Sequence, residues 1–349
     1  MSRSLPQLPG VLDARRVRAA AAAIAAAQEP SGAIPWFSGG HVDVWDHVEC
    51  AMALLVGGQP KAAARAYAWL FAAQRPDGSW PMATVAGRVT DPGTDTNMCA
   101  YVAVGVWHHW LVCRDAEFLA VAWPVVRRAL DLVVAHQLPF GGIDWAVDDR
   151  GRTFGTALVT GSASIRHALD CGLSLADLVG DPQPRWAAAL DRLDHALREH
   201  ENRFDPRPHH AMDWYYPVLT GVLRGPAGLD RIAARWHDFV VPGLGVRCVD
   251  HRPWVTGAET CELAMALAAL GRRDDAVRLL ADMLHLQDPD GSFWTGYVFA
   301  DEARWPEERS TWTAATVVLA ADTLSRATGG AQVFLGSADR VARVAARPA

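Results

Sequence analysis

The chain has 349 residues, 50% of them hydrophobic, with 33 basic against 39 acidic side chains and a formal net charge of −6. That apolar content excludes intrinsic disorder, and an acidic balance without a Lys/Arg cluster excludes a nucleic-acid footprint and gives no strong membrane signal. The 15 Trp are more than a core of this size requires, so some rings are expected to line a cavity.

In chain order, amphipathic segments at about 14–28, 61–74, 122–137, 186–200, 227–240 and 273–287 carry apolar residues at helical spacing. Between them run segments that are apolar nearly all round, beginning near Asp46, Thr96, Thr160, Asp213, Thr256 and Ser310, each with an N-cap type of residue at or near its start. Helices of the first kind need one solvated face; those of the second kind need burial. Six of each in alternation predict an all-α, single-domain fold over 1–349, an (α/α)6 toroid of six helical hairpins. The repeats span about 14–325, and the Gly/Ala-rich tail at about 328–349 reads as a short docking segment or a frayed end. Loops leading into the buried helices should ring one mouth. The N-terminal segment lacks an apolar core followed by a cleavage site, and the six Cys form no CxxC pair. Reduced thiols in a cytoplasmic protein are therefore expected, and nothing in the sequence sets an oligomeric state.

The string Gln-x-x-x-Gly recurs as Gln28/Gly32, Gln74/Gly78, Gln137/Gly141 and Gln287/Gly291. The fullest copy runs from Arg65 through Tyr67, Trp69 and Leu70 to Gln74, Gly78 and Trp80. It resembles the QW repeat of squalene and oxidosqualene cyclases, and the chain is similar to the prenyltransferase/squalene-oxidase-repeat superfamily of α/α toroids. The resemblance implies a prenyl or terpenoid substrate in an aromatic cavity, with acid-initiated chemistry. It does not bring the cyclase Asp-x-Asp-Asp motif, which is absent. Asp95, at the start of an inner helix, and Asp46 are the leading acids, although an Asp there also serves as an N-cap.

Zinc and magnesium are not supported by the motifs. Glu259-Thr260-Cys261 has the carboxylate-x-thiol spacing of a prenyltransferase zinc site, but the next inner helix begins Ser310-Thr311-Trp312-Thr313 and supplies no His. Asp-rich magnesium ligands for a diphosphate are likewise missing, so no cofactor is expected.

The loops and first turns at the inferred mouth interleave rings with carboxylates. His47, Asp213 and Glu259 join Asp46 and Asp95 as candidate catalytic groups, while Trp36, Trp45, Trp214, Tyr215, Trp254, Trp294 and Trp312 are candidate substrate-binding rings. Arg166, within an inner helix, reads as an anion contact or as a salt bridge to an acidic neighbour. An aromatic cavity with many carboxylates also suits a sugar, because sugars stack on Trp and glycoside hydrolysis needs only two carboxylates flanking the bond. The alternative to the terpenoid reading is therefore a carbohydrate-active enzyme on the same scaffold.

Overall fold

The computed structural model describes residues 4–336. The amphipathic segments form α1 (Ala14–Ala27), α3 (Pro60–Ala72), α5 (Ala116–Ala135), α7 (Pro184–Glu199), α9 (Gly225–Phe239) and α11 (Arg273–Asp282). The apolar segments form α2 (Val44–Val56), α4 (Thr96–Cys113), α6 (Val159–Val179), α8 (Ala211–Leu219), α10 (Gly257–Ala269) and α12 (Thr311–Ser325). Capping residues set several starts. Asp43 accepts from Asp46 N at 2.9 Å, Asp95 from Met98 N at 3.0 Å and Ser310 from Thr313 N at 3.2 Å, each satisfying an orphan N–H of the first turn.

The even-numbered helices touch in the order α2, α4, α6, α8, α10, α12 and back to α2, which closes the inner ring. Each outer helix packs on the inner helix before it, and α1 completes the circuit against α12. The fold is the (α/α)6 toroid expected from the alternation. The short turns lie at one face; the long loops, residues 28–43, 73–95, 136–158, 240–256 and 283–310 among them, lie at the other, where the inner helices start.

Those long loops hold short antiparallel ribbons with no counterpart in the hydrophobic pattern. β1 (His41–Val42), β2 (Ala83–Val85) and β3 (Arg88–Asp91) form one sheet, and β4 (Thr94–Asp95) pairs with β5 (Ala146–Val147). A third sheet is made of β6 (Val240–Val241), β7 (Gly245–Arg247), β8 (Trp254–Thr256), β9 (Gly296–Val298) and β10 (Ala303–Arg304). Strands of two to four residues are too short to show alternation. Of the tail, Gly329–Ala331 forms a 3₁₀ turn and α13 (Gln332–Leu335) follows it, packing on α4, α10 and α12; the rest of the expected docking segment, 337–349, lies outside the described residues.

The Gln-x-x-x-Gly strings prove to be staples between consecutive outer helices. Gln74 Nε2 donates to Gly78 O at 3.0 Å, closing its own loop, and to Val125 O of α5 at 2.9 Å. Gln28 reaches Ala62 O of α3 and Gln137 reaches Ala189 O of α7 in the same way. Gly is required in each string because the loop lies flat on the neighbouring helix: at Gly78 (φ +96°) a Cβ would stand 2.4 Å from Arg128 O, and at Gly32 (φ +100°) 2.4 Å from Arg65 O. Trp80 is buried and donates to Leu70 O at 2.9 Å. The motif is thus a packing device of the toroid.

Candidate active site

The carboxylates at the mouth come mostly from α2 and α10, which flank α12 in the inner ring. On α2, Asp43 at the N-cap, Asp46 and Glu49 follow at three-residue spacing and so share a face. On α10, Glu259 and Glu262 do the same. Asp95 caps α4, and Asp213 stands in the first turn of α8.

Glu49 is buried yet well served: Tyr101 Oη donates to Oε1 at 2.6 Å, Trp312 Nε1 to Oε2 at 2.8 Å and Trp45 Nε1 to Oε1 at 3.3 Å. Burial raises its pKa while these three donors oppose the rise. Across the ring, Tyr215 Oη donates to Glu262 Oε2, Tyr216 lies beside it, and Oε1 has no hydrogen-bond partner. Burial and then the Glu49 charge push Glu262 well above the usual carboxylate range. Asp46 is half-buried and is also held well above that range, first by burial and then by Asp43, with Glu49 and Glu262 adding to the effect. Burial and mutual repulsion thus favour the protonated forms of Asp46, Glu49 and Glu262. Asp95 is raised to about 6 by burial, against the N–H groups of Met98 and Asn97. Asp213, raised by burial, accepts from both the N–H and the hydroxyl of Thr160.

Rings frame this cluster. Trp45 lies 5.5 Å from Tyr101 and 5.6 Å, edge-on, from Tyr216. Trp36 is 5.6 Å from Trp312 and donates to Glu308 at 2.7 Å. The other sequence candidates are held elsewhere. His47 is fully buried between Ile34 N–H, which Nδ1 accepts at 3.1 Å, and Ala66 O, 3.0 Å from Nε2. That pair of contacts selects the neutral Nε2–H tautomer, and burial lowers its pKa to about 4. Trp214 stacks on Phe239 and donates to Arg231 O, tying α8 to α9. Trp254 donates to Trp305 O, and Trp294 donates to Asp288 under the guanidinium of Arg309. Arg166 pairs with Asp194 and Asp170 and donates to Thr220 O, so it is the salt bridge rather than an open anion contact. Glu259 is buried and takes the Cys248 thiol as a neighbour.

Glu49 and Tyr101 were missed by residue patterns. A signal existed for Glu49: it interrupts an otherwise apolar inner helix, where a carboxylate is costly unless it is used.

The structure also gathers His209, Asp250 and His251, whose ligand-type atoms lie within 4.8 Å of one another. Arg235 already contacts Asp250 at 2.7 Å, and the three hydrogen bonds from His209, His251 and Arg235 help hold Asp250 down at about 2. This is an exposed ion-pair network on two rim loops. None of the six Cys forms a disulfide. Among the described residues no helix is long and apolar enough to cross a membrane.

No protein-family model matches the chain. A full-length relative does: the chain is 55% identical over 333 residues, 95% of this chain and 92% of the other, to the MMP endo-(1,4)-3-O-methyl-α-D-mannosidase of Mycolicibacterium hassiacum. Similar solved structures include a glycosidase in complex with glucose (19% identity, TM-score 0.69, covering 89% of this chain and 96% of that one). D-mannose isomerase (10%, TM-score 0.70, 89% and 96%) and an α-amylase from Clostridium perfringens (9%, TM-score 0.65, 90% and 99%) share the fold. These findings correct the likeness to terpene cyclases and prenyltransferases, and the QW label with it: the Gln-Gly staples belong to helix packing, and a prenyl substrate is not supported. The chain belongs to the family of that endo-mannosidase, carbohydrate-active enzymes on an α/α toroid.

Proposed function

We propose that the chain is an endo-acting glycoside hydrolase that cleaves α-(1→4) bonds in a chain of mannose units carrying 3-O-methyl groups. The observation that carries the reading is that half-buried Asp46 and buried Glu49 on α2 and buried Glu262 on α10 stand within one ring of Trp and Tyr, in which Trp45 donates to Glu49 and lies 5.6 Å from Tyr216 while Tyr215 donates to Glu262. The substrate follows the relative named above.

Hydrolysis of a glycoside needs one carboxyl that is protonated and one that is charged. Asp46 supplies the first: burial and Asp43 favour its protonated form, and its partial exposure lets it reach the glycosidic oxygen. As the bond breaks, that oxygen takes the proton and Asp46 becomes a carboxylate. Glu262 supplies the second. Burial and the Glu49 charge raise its pKa, but the hydroxyls of Tyr215 and Tyr216 favour its charged form. Protonation of Asp46 and Glu49 lowers the repulsion that opposes that charge, and its Oε1 is not committed to another protein group. A charge there stabilises the positive character that develops on the sugar ring while a water molecule adds to the anomeric carbon, and the proton that this water gives up restores the acid. Glu49 is a positioning residue, since its three donors fix the planes of Trp45 and Trp312 against which a sugar face can stack. The absence of disulfides among the six cysteines supports a reducing, cytoplasmic setting.

The test is release of reducing ends from an α-(1→4)-linked 3-O-methylmannose oligomer. Asp46→Asn and Glu262→Gln should each lower kcat by about 10²–10⁴ while the fold is retained. Retention of more than a tenth of the activity by Asp46→Asn removes it from the role of acid.

A further inference from the structure

Beside the carboxylate cluster, between α4 and α6, lies a small cavity of about 110 Å³. Its wall includes Trp45, Ile143, Trp145, Leu158, Gly161 and Ile165. Trp45 belongs to both places, because its Nε1 contacts Glu49 while its ring forms part of this wall. At roughly 30 Å³ per water, the space equals only three or four waters, too little for a disaccharide. Asp95 and Thr160 stand on the same wall, so the slot is apolar along one side and polar on another. Two further wall residues, Asn97 and Ser162, are buried and have a side-chain oxygen without a hydrogen-bond partner.

The site as a whole is acidic and aromatic, and a hexose presents hydroxyls in every direction. A hydroxyl set against Ile143 and Ile165 loses its water partners and keeps a bond only by turning back toward the polar side of the slot. A methoxy group in the same place has no donor to satisfy and gains contact area. We propose that this slot receives the 3-O-methyl group of one substrate sugar while the ring edge meets Asn97, Ser162 and Asp95, making it the determinant that favours methylated over plain mannosides. The inference rests on the glycosidase reading above.

Gly161 gives a clean test. It lies in the first turn of α6, and a Cβ there would meet nothing nearer than Asn97 Cβ at 3.7 Å and Leu158 Cβ at 4.0 Å. The Cβ therefore makes only ordinary contacts, at a position that forms part of the slot wall. Two synthetic α-(1→4)-mannoside oligomers, one 3-O-methylated and one not, serve as substrates. The native protein should prefer the methylated oligomer by at least about tenfold in kcat/KM, the lower end of what a site gains from one such group. Gly161→Val should collapse that ratio toward one, chiefly through the KM of the methylated oligomer, with no fall in unfolding temperature. A ratio unchanged in folded Gly161→Val, or no preference in the native protein, overturns the proposal. Should Gly161→Val fail to fold, Gly161→Ala, which helix propensity favours, must lower the ratio at least about threefold. A native protein that cleaves neither oligomer overturns the glycosidase reading instead. Calorimetric binding of 3-O-methylmannose against mannose then decides the slot: tighter binding of the methylated sugar supports it, and equal or absent binding overturns it.

Discussion

Removing the Gln74 side chain tests whether the staples carry the toroid. Gln74→Ala deletes two neutral hydrogen bonds, to Gly78 O at 3.0 Å and to Val125 O at 2.9 Å. Each is worth about 1 kcal/mol net, with some additional cost where a carbonyl loses its partner. The contact from Arg128 to Oε1 adds little, since that guanidinium is exposed. The loss should be about 2–3 kcal/mol. At about 2 cal/mol/K of unfolding entropy per residue, a chain of this length moves by roughly 1.5 °C per kcal/mol, so Tm should fall by about 3–4 °C. Gln287→Ala is the internal comparison. Among the described residues its side chain holds Arg16 Nε at 2.7 Å and reaches no backbone carbonyl, so its loss should stay under about 1 kcal/mol. Gly78→Ala should cost more than Gln74→Ala, because it forces a Cβ to 2.4 Å from Arg128 O at φ +96°. Thermal unfolding followed by circular dichroism reads all three. If Gln287→Ala costs as much as Gln74→Ala, or if Gln74→Ala costs nothing, the staple argument is wrong.

Three further outcomes follow from the electrostatics. Asp43→Asn keeps an N-cap acceptor but removes the charge that raises Asp46, so the alkaline limb of the kcat/KM profile should move to lower pH. An unmoved limb would separate Asp43 from the acid. Tyr215→Phe removes a donor that favours ionised Glu262; the acid limb should shift upward, with circular dichroism unchanged. Buried His47, held at about 4 against an ordinary 6.5, contributes about 3 kcal/mol of stability. Because the folded state binds the proton less readily, that contribution is complete above pH 6.5 and is lost as pH falls toward 4. Asp95 runs the other way: raised to about 6, its contribution is complete below an ordinary 3.8 and is lost as pH rises through 6. The slope of stability between pH 6.5 and 4 should therefore flatten by up to about 1.4 kcal/mol per pH unit in His47→Asn, measured by urea unfolding; an unaltered slope would show that His47 does not gate acid stability.

The sequence by itself determined the architecture. Apolar residues at a period near 3.6, alternately on one face and all round, admit only helices that are alternately half-wet and fully buried, and six pairs of them close a ring. The inner starts near Thr96 and Thr160 fell within a residue of α4 and α6, because local capping and hydrophobic period act over a few residues. The mouth was also legible, since Asp46, Asp95, Asp213 and Glu259 all sit at inner-helix starts. The Gln-x-x-x-Gly strings misled as to family for a related reason. They report how a loop lies on the next outer helix, and any α/α toroid with that geometry can use a Gln amide and a Gly without sharing its chemistry.

Only the tertiary structure decided which carboxylates act together. Asp46 and Glu262 are more than two hundred residues apart in the chain, and nothing in either segment refers to the other; ring closure through α12 brings α2 and α10 near enough for their charges to couple. The same closure brings Trp312 to Glu49 and turns Trp214 and Arg166 toward their own outer helices instead. Helical period is a short-range property and can be read along the chain. A raised carboxylate pKa depends on distance to other charges in space and on the water excluded around it, and both are set only when the ring is complete.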